Sequence, residues 1–116
     1  MDTSPNSKSS RFSCDTRSVS AQTVRVTAVG ELDLESAPLL EAELAAVDSG
    51  VTVVVLDLSA LRFMDSSGLQ VIVRANQRLR EHNRRLTLVR GQSQIQRLFL
   101  LSGLEPHFQF VPDAGE

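Results

Sequence analysis

Val53 to Leu69 reads VVVLDLSALRFMDSSGL, and its pattern changes along the way. Val53 to Leu56 is among the longest apolar runs in the chain, and VTVVVLDL at Val51 to Leu58 is rich in β-branched residues. Near-continuous apolarity of this kind is the mark of a strand covered on both faces. Ser59 to Met64 then reads as a connection, and a helix begins at Asp65-Ser66-Ser67-Gly68. Asp65 suits the N-cap, where a carboxylate accepts the unpaired N–H groups of the first turn. Met64 before it and Leu69 after it stand at the two positions of a hydrophobic staple. A strand running into a capped helix is a βα unit, and βα units build parallel sheets.

The flanking sequence extends this plan. From about Ser66 to Asn83, Gly68, Val71, Ile72, Ala75 and Leu79 share one helical face. Gln70, Arg74, Gln77, Arg78 and Glu81 share the other, which is predicted to meet water. Leu86 to Val89 is a further strand. A helix after Gly91 carries Ile95, Leu98, Phe99 and Ser102 on one face and stops at Gly103; Leu100 and Leu101, if exposed, offer contact surface. Phe108 to Val111 is a candidate last strand. Upstream, Thr23 to Val29 alternates apolar and polar residues, and Phe12 to Arg17 is a weaker strand joined to it by a short polar link. Gly30 to Leu34, GELDL, breaks that pattern. A helix is expected from Ser36 as N-cap, with Ala37, Leu40, Leu44 and Val47 inward and Gly50 as its stop. The order ββαβαβα(β) predicts one α/β domain over residues 11–116: a small, mostly parallel sheet with an added N-terminal hairpin strand. Residues 1–10, MDTSPNSKSS, hold no large apolar side chain besides Met1 and are expected to form a flexible tail.

Composition narrows the function. Of 116 residues, 36 are Leu, Ile, Val or Phe, enough for one core. The net charge of −2 argues against a dedicated nucleic-acid binder. No apolar run approaches the length of a membrane span and no secretory signal is evident, so a cytoplasmic protein is expected. The single cysteine, Cys14, has no internal partner and reads as a half-buried strand residue. His82 and His107 stand far from any metal-ligand spacing, so no metal or other cofactor is expected.

The pair of hydroxyls in Asp65-Ser66-Ser67-Gly68 exceeds what a cap needs. It also lies beyond the carboxyl end of the best strand, where sites gather in open α/β sheets. A nucleophilic serine requires a base within hydrogen-bond reach. His82, 16 residues along the same helix, is about 24 Å away at 1.5 Å per residue, and nothing in the sequence places His107 there. No catalytic role is therefore assigned. A serine that accepts phosphate fits better, because free N–H groups and the helix dipole accommodate a phosphate at a helix start. Asp33 and Glu31 of GELD would add to the local negative charge if that loop lies alongside.

These residues carry a resemblance. GELD at Gly30 to Asp33, VVVLDLSAL at Val53 to Leu61 and FMDSSGL at Phe63 to Leu69 together resemble the bacterial anti-sigma factor antagonists, single-domain members of the STAS family. The resemblance spans about residues 11–112 and implies a small sheet with helices packed largely on one side. It implies a regulatory protein and not an enzyme: the unmodified form binds an anti-sigma factor serine kinase and so frees a sigma factor. Phosphorylation by that kinase ends binding, and a PP2C-type phosphatase resets it. By position, Ser66 is the implied phosphoacceptor, and Asp33, Asp65, Ser67 and Gly68 form the switch surface. Gln70 departs from the pattern, since many members have glycine there. The alternative is a STAS signalling module that binds a small ligand or a larger regulatory assembly without sigma-factor control.

Overall fold

The computed structural model of the chain describes residues 11–112; the expected tail at residues 1–10 lies outside them. In chain order the elements are β1 (Phe12–Ser18), β2 (Thr23–Leu32), α1 (Ala37–Ala45), β3 (Val53–Met64), α2 (Ser66–Glu81), β4 (Arg85–Val89), α3 (Ser93–Leu101), a 3-10 turn (Glu105–His107) and β5 (Gln109–Val111). The five strands form one sheet in the order β1-β2-β3-β4-β5. β1 runs antiparallel to β2, and every other neighbouring pair is parallel.

Alternation sorts the side chains. Val26, Leu56, Leu88 and Phe110 are register partners across four strands, and the first three are fully buried. The helices cover this face. Phe99 of α3 meets the Phe110 ring edge-on at 5.2 Å and the Phe108 ring at 5.4 Å. Ile72, Ala75 and Leu79 of α2 and Leu40 and Leu44 of α1 join the same core. The opposite face carries Arg25, Thr27, Val55, Asp57 and Thr87, whose registers alternate with the core row, so β3 is covered by helices on one face and not on both as its apolar run predicts. There the Arg25 guanidinium pairs with Asp57 at 2.5 Å. Asp57 is buried, and its Oδ1 also accepts from the Ser59 N–H (2.9 Å) and hydroxyl (2.6 Å). Burial pushes the Asp57 carboxyl upward, but the Ser59 hydrogen bonds and Arg25 outweigh it and hold it below the usual carboxylate range.

Several element ends differ from the sequence reading. Ser59 to Met64 is no connection: β3 continues through it, because Ala60, Leu61, Phe63 and Met64 pair with β2. Gly30 does not end its strand either. β2 continues to Leu32 through register shifts, with Gly30 at φ +101°, where a Cβ would lie 2.0 Å from the Arg11 carbonyl oxygen. Ser36 precedes α1 but does not cap it, since its hydroxyl turns back to the Glu31 carbonyl and the Asp33 N–H. α1 ends at Ala45, so Gly50 is not its stop and Val47 lies beyond the helix. α2 ends at Glu81, with Asn83 taking the left-handed conformation (φ 59°). Ser102 is exposed and not part of the buried α3 face; its hydroxyl donates to the Phe99 carbonyl. Gly103 does close α3, at φ +78°, with its N–H on the Leu100 carbonyl and that of Leu104 on Phe99.

Candidate functional site

The carboxyl ends of β2 and β3 bring the two motifs together. Leu32 pairs with Met64, and the next N–H in β3, that of Asp65, donates to the Leu32 carbonyl at 3.1 Å. Asp33 and Asp65 therefore leave adjacent strands at the same point, each leading into a helix. This side-by-side placement was only conditional in the sequence.

At the α2 start, Asp65 has extended backbone and its Oδ1 accepts from Ser67 N–H at 2.9 Å and Gly68 N–H at 3.4 Å. The cap expected from sequence is present. It leaves Ser66 as the first helical residue, exposed, with Ser67 half-buried beside it. Among the described residues neither hydroxyl has a hydrogen-bond partner. Gly68 turns inward and is buried. A Cβ there would come within 2.6 Å of Leu32 Cγ and 2.9 Å of Met64 Cγ. The missing side chain thus admits the chain's own core, seating the first turn of α2 low against β2 and β3, with Met64 and Leu69 buried on either side.

The Asp33 loop is held from within. Asp33 Oδ1 accepts from the N–H groups of Glu35 and Ser36, both at 3.1 Å, and from the Ser36 hydroxyl at 3.0 Å. Partial burial works against the charge, but these hydrogen bonds, with Arg11, hold the carboxyl below its ordinary range. Glu31 bridges two cations, Arg11 at 3.2 Å and Arg62 at 3.6 Å, and Arg11 also approaches Asp33 at 3.9 Å. Sequence reading found the acids but missed Arg11, Arg62 and Ser36 as the groups that fix them. No spacing signal links residues 11, 31 and 62, which meet only through sheet register.

Ser66 opens onto a shallow groove of about 360 Å³ between α2 and the segment after α3, floored by Leu69, Val73 and Leu104 and edged by Gln70 and Arg74. Leu104 was also missed, since nothing local distinguishes it. Arg74, read as solvated, pairs with Glu41 of α1 at 3.4 Å. Leu34 and Phe63, 73% and 48% exposed, set apolar surface near this end of the sheet; Leu100 and Leu101 are exposed as well. His82 caps the far end of α2, and His107 lies in the next depression along the helix, beside Val73 and Leu104. The His82 ring meets the Arg78 carbonyl at 2.9 Å, and among the described residues neither histidine has a hydrogen bond to Ser66. Among the described residues no group of three or more His, Cys, Asp or Glu could hold a metal ion, and no helix is long and apolar enough to cross a membrane. Cys14 is half-buried in β1, and its thiol is pushed up to about 11 by burial, then by Glu43 and Asp15.

This architecture defines a small α/β domain that presents a capped helix start at one end of its sheet. The family model described as Mlab, STAS domain matches residues 16–112, and the chain belongs to that family. BtrV of Bordetella bronchiseptica is 39% identical over 75 residues, 64% of this chain and 65% of that one. The anti-sigma-B factor antagonist of Listeria monocytogenes is 32% identical over 95 residues, 80% of this chain and 82% of that one. Among solved structures, an anti-sigma factor antagonist from Mycobacterium paratuberculosis superposes with TM-score 0.78 at 26% identity, covering 88% of this chain and 86% of that one. SpoIIAA of Bacillus in its phosphorylated form shares the fold, with TM-score 0.69 at 24% identity over 87% of this chain and 93% of that one.

Proposed function

We propose that this protein is a cytoplasmic anti-sigma factor antagonist switched at Ser66. In the unmodified state it binds an anti-sigma factor, a serine kinase, and so releases a sigma factor. Phosphorylation of Ser66 ends the complex, and a PP2C-type phosphatase restores it. The observation that carries the reading is the exposed Ser66 hydroxyl at the first position of α2, without a hydrogen-bond partner among the described residues, beside the Asp65 and Asp33 carboxylates that hydrogen bonds hold in place. The names of the relatives support the partner class.

The chemistry is electrostatic and steric. A phosphate at Ser66 adds about −1.5 to −2 charges at pH 7 next to Asp65 and at the same strand ends as Asp33. A partner seated on a neutral hydroxyl then meets added bulk, an ion to desolvate and a changed field. A penalty of roughly 3 kcal/mol lowers affinity about 150-fold. Asp65 and Gly68 have positioning roles: one caps the helix and the other lets it sit low. Asp33 and Ser67 complete the surface. Ser66 acts as phosphate acceptor and contact; Asp65 beside it is committed to capping the helix.

The test is to incubate the protein with its cognate kinase and ATP, map the modified peptide, and measure binding before and after. Phosphate on Ser66 and a loss of affinity of about 100-fold are expected. Ser66→Ala should stay bound in the presence of ATP. Phosphate found only elsewhere, or equal affinity of both forms, overturns the reading.

A further inference from the structure

β1 is a sheet edge seven residues long, FSCDTRS, whose free side has no backbone partner among the described residues. The other edge, β5, has only three residues. Long exposed edges are templates for pairing with another chain. The charges on this one point to a specific mate. Asp15, Thr16 and Arg17 are all exposed, and neither charge has an ion-pair partner among the described residues. Within its own sheet Arg17 stands opposite another cation, Arg25. Two β1 strands paired antiparallel about Thr16 would set Asp15 of each copy against Arg17 of the other. Opposite charges directly across strands stabilise such pairs, and each Arg17 would gain the carboxylate its own sheet lacks.

A second feature lies above the same edge. Seven of the nine residues of α1, APLLEAELA, are apolar, yet Leu39 is 50% exposed and Ala42 and Ala45 are exposed as well. Apolar helices without a polar side are ordinarily covered. α1 touches β1, with the Cys14 thiol at the Leu39 carbonyl and the Thr16 hydroxyl on Glu43 at 2.6 Å. Edge pairing about a twofold axis perpendicular to the sheet would bring both α1 helices to the same side.

We propose that β1 is a self-association surface: two copies pair their β1 strands antiparallel about Thr16 into one continuous sheet, covering the outer side of α1. The strands of the two copies then run oppositely, and the two Ser66 ends point away from each other. Self-association therefore leaves both switch surfaces open and stands independently of the function proposed for them.

Sedimentation equilibrium of the full chain tests this. Wild type should show a concentration-dependent monomer–dimer equilibrium. Asp15→Arg and Arg17→Asp each place like charges across the pair and should weaken self-association at least tenfold, with circular dichroism confirming the fold. An equimolar mixture of these two variants restores both opposite-charge pairs and should form a heterodimer. Thr16→Cys should give a disulfide dimer under mild oxidation, because position 16 faces its own copy. A wild type that stays monomeric throughout, or a dimer that ignores both charge reversals, overturns the proposal.

Discussion

Ser66 can be presented only because its neighbours are spent on structure. Asp65 gives its carboxylate to the helix cap, and Gly68 gives up a side chain to Leu32 and Met64. Asp65→Ala should cost about 1 kcal/mol of stability through the lost cap, while Asp65→Asn, which still accepts, should cost less; urea denaturation separates them. Gly68→Ala should run against helix propensity. In an exposed helix alanine gains about 0.5–1 kcal/mol over glycine. Here the added methyl meets packed core atoms, and a loss of about 1–3 kcal/mol is expected, measured the same way.

Between elements, the Arg25–Asp57 pair ties β2 to β3 on the face without helices. Arg25→Ala leaves a buried carboxylate with only Ser59. Breaking fully buried pairs costs about 3–5 kcal/mol, and because Arg25 keeps part of its surface in water we expect about 2 kcal/mol. Gly103 closes α3 in open space, with no atom within 4 Å of a built Cβ. Gly103→Ala therefore isolates the cost of left-handed backbone, about 1–2 kcal/mol, again by denaturation. This helix end was legible from the sequence because a glycine after an apolar stripe has one common use. The end of α1 was not. Gly50 offered the same signal, but the helix had already closed at Ala45 through backbone bonds around Ala46.

For the whole molecule, acid should unmask the two carboxylates held low. Asp33 and Asp57 both titrate below their unfolded range. A depressed folded value means that their contribution is fully present above the unfolded pKa. It is lost as pH falls below about 4 toward the folded values. Stability measured from pH 7 to pH 3 should drop over that window, and Asp57→Asn should flatten the drop. Phosphorylation, by contrast, should leave the fold intact. Ser66 is exposed at a helix start, where the dipole favours the phosphate and Asp65 opposes it, so a stability change within about 1 kcal/mol is expected by thermal melting. A phosphoprotein that unfolds would place the switch in the fold and not at the docking surface.

The sequence by itself determined the alternation of strands and helices, the cap at Asp65 and the candidacy of Ser66. Each of these is written in short-range chemistry: periodicity, a capping residue, two hydroxyls beyond a β-branched run. Only the tertiary structure decided that β3 extends to Met64, because a strand's length depends on the neighbour that pairs with it. The same register put Asp33 beside Asp65 and let Glu31 reach Arg11 and Arg62, residues tens of positions apart that no local pattern connects. The inward side of Gly68 was already legible, since it stands in the apolar stripe of α2; only packing showed that Leu32 and Met64 fill the space a side chain would need.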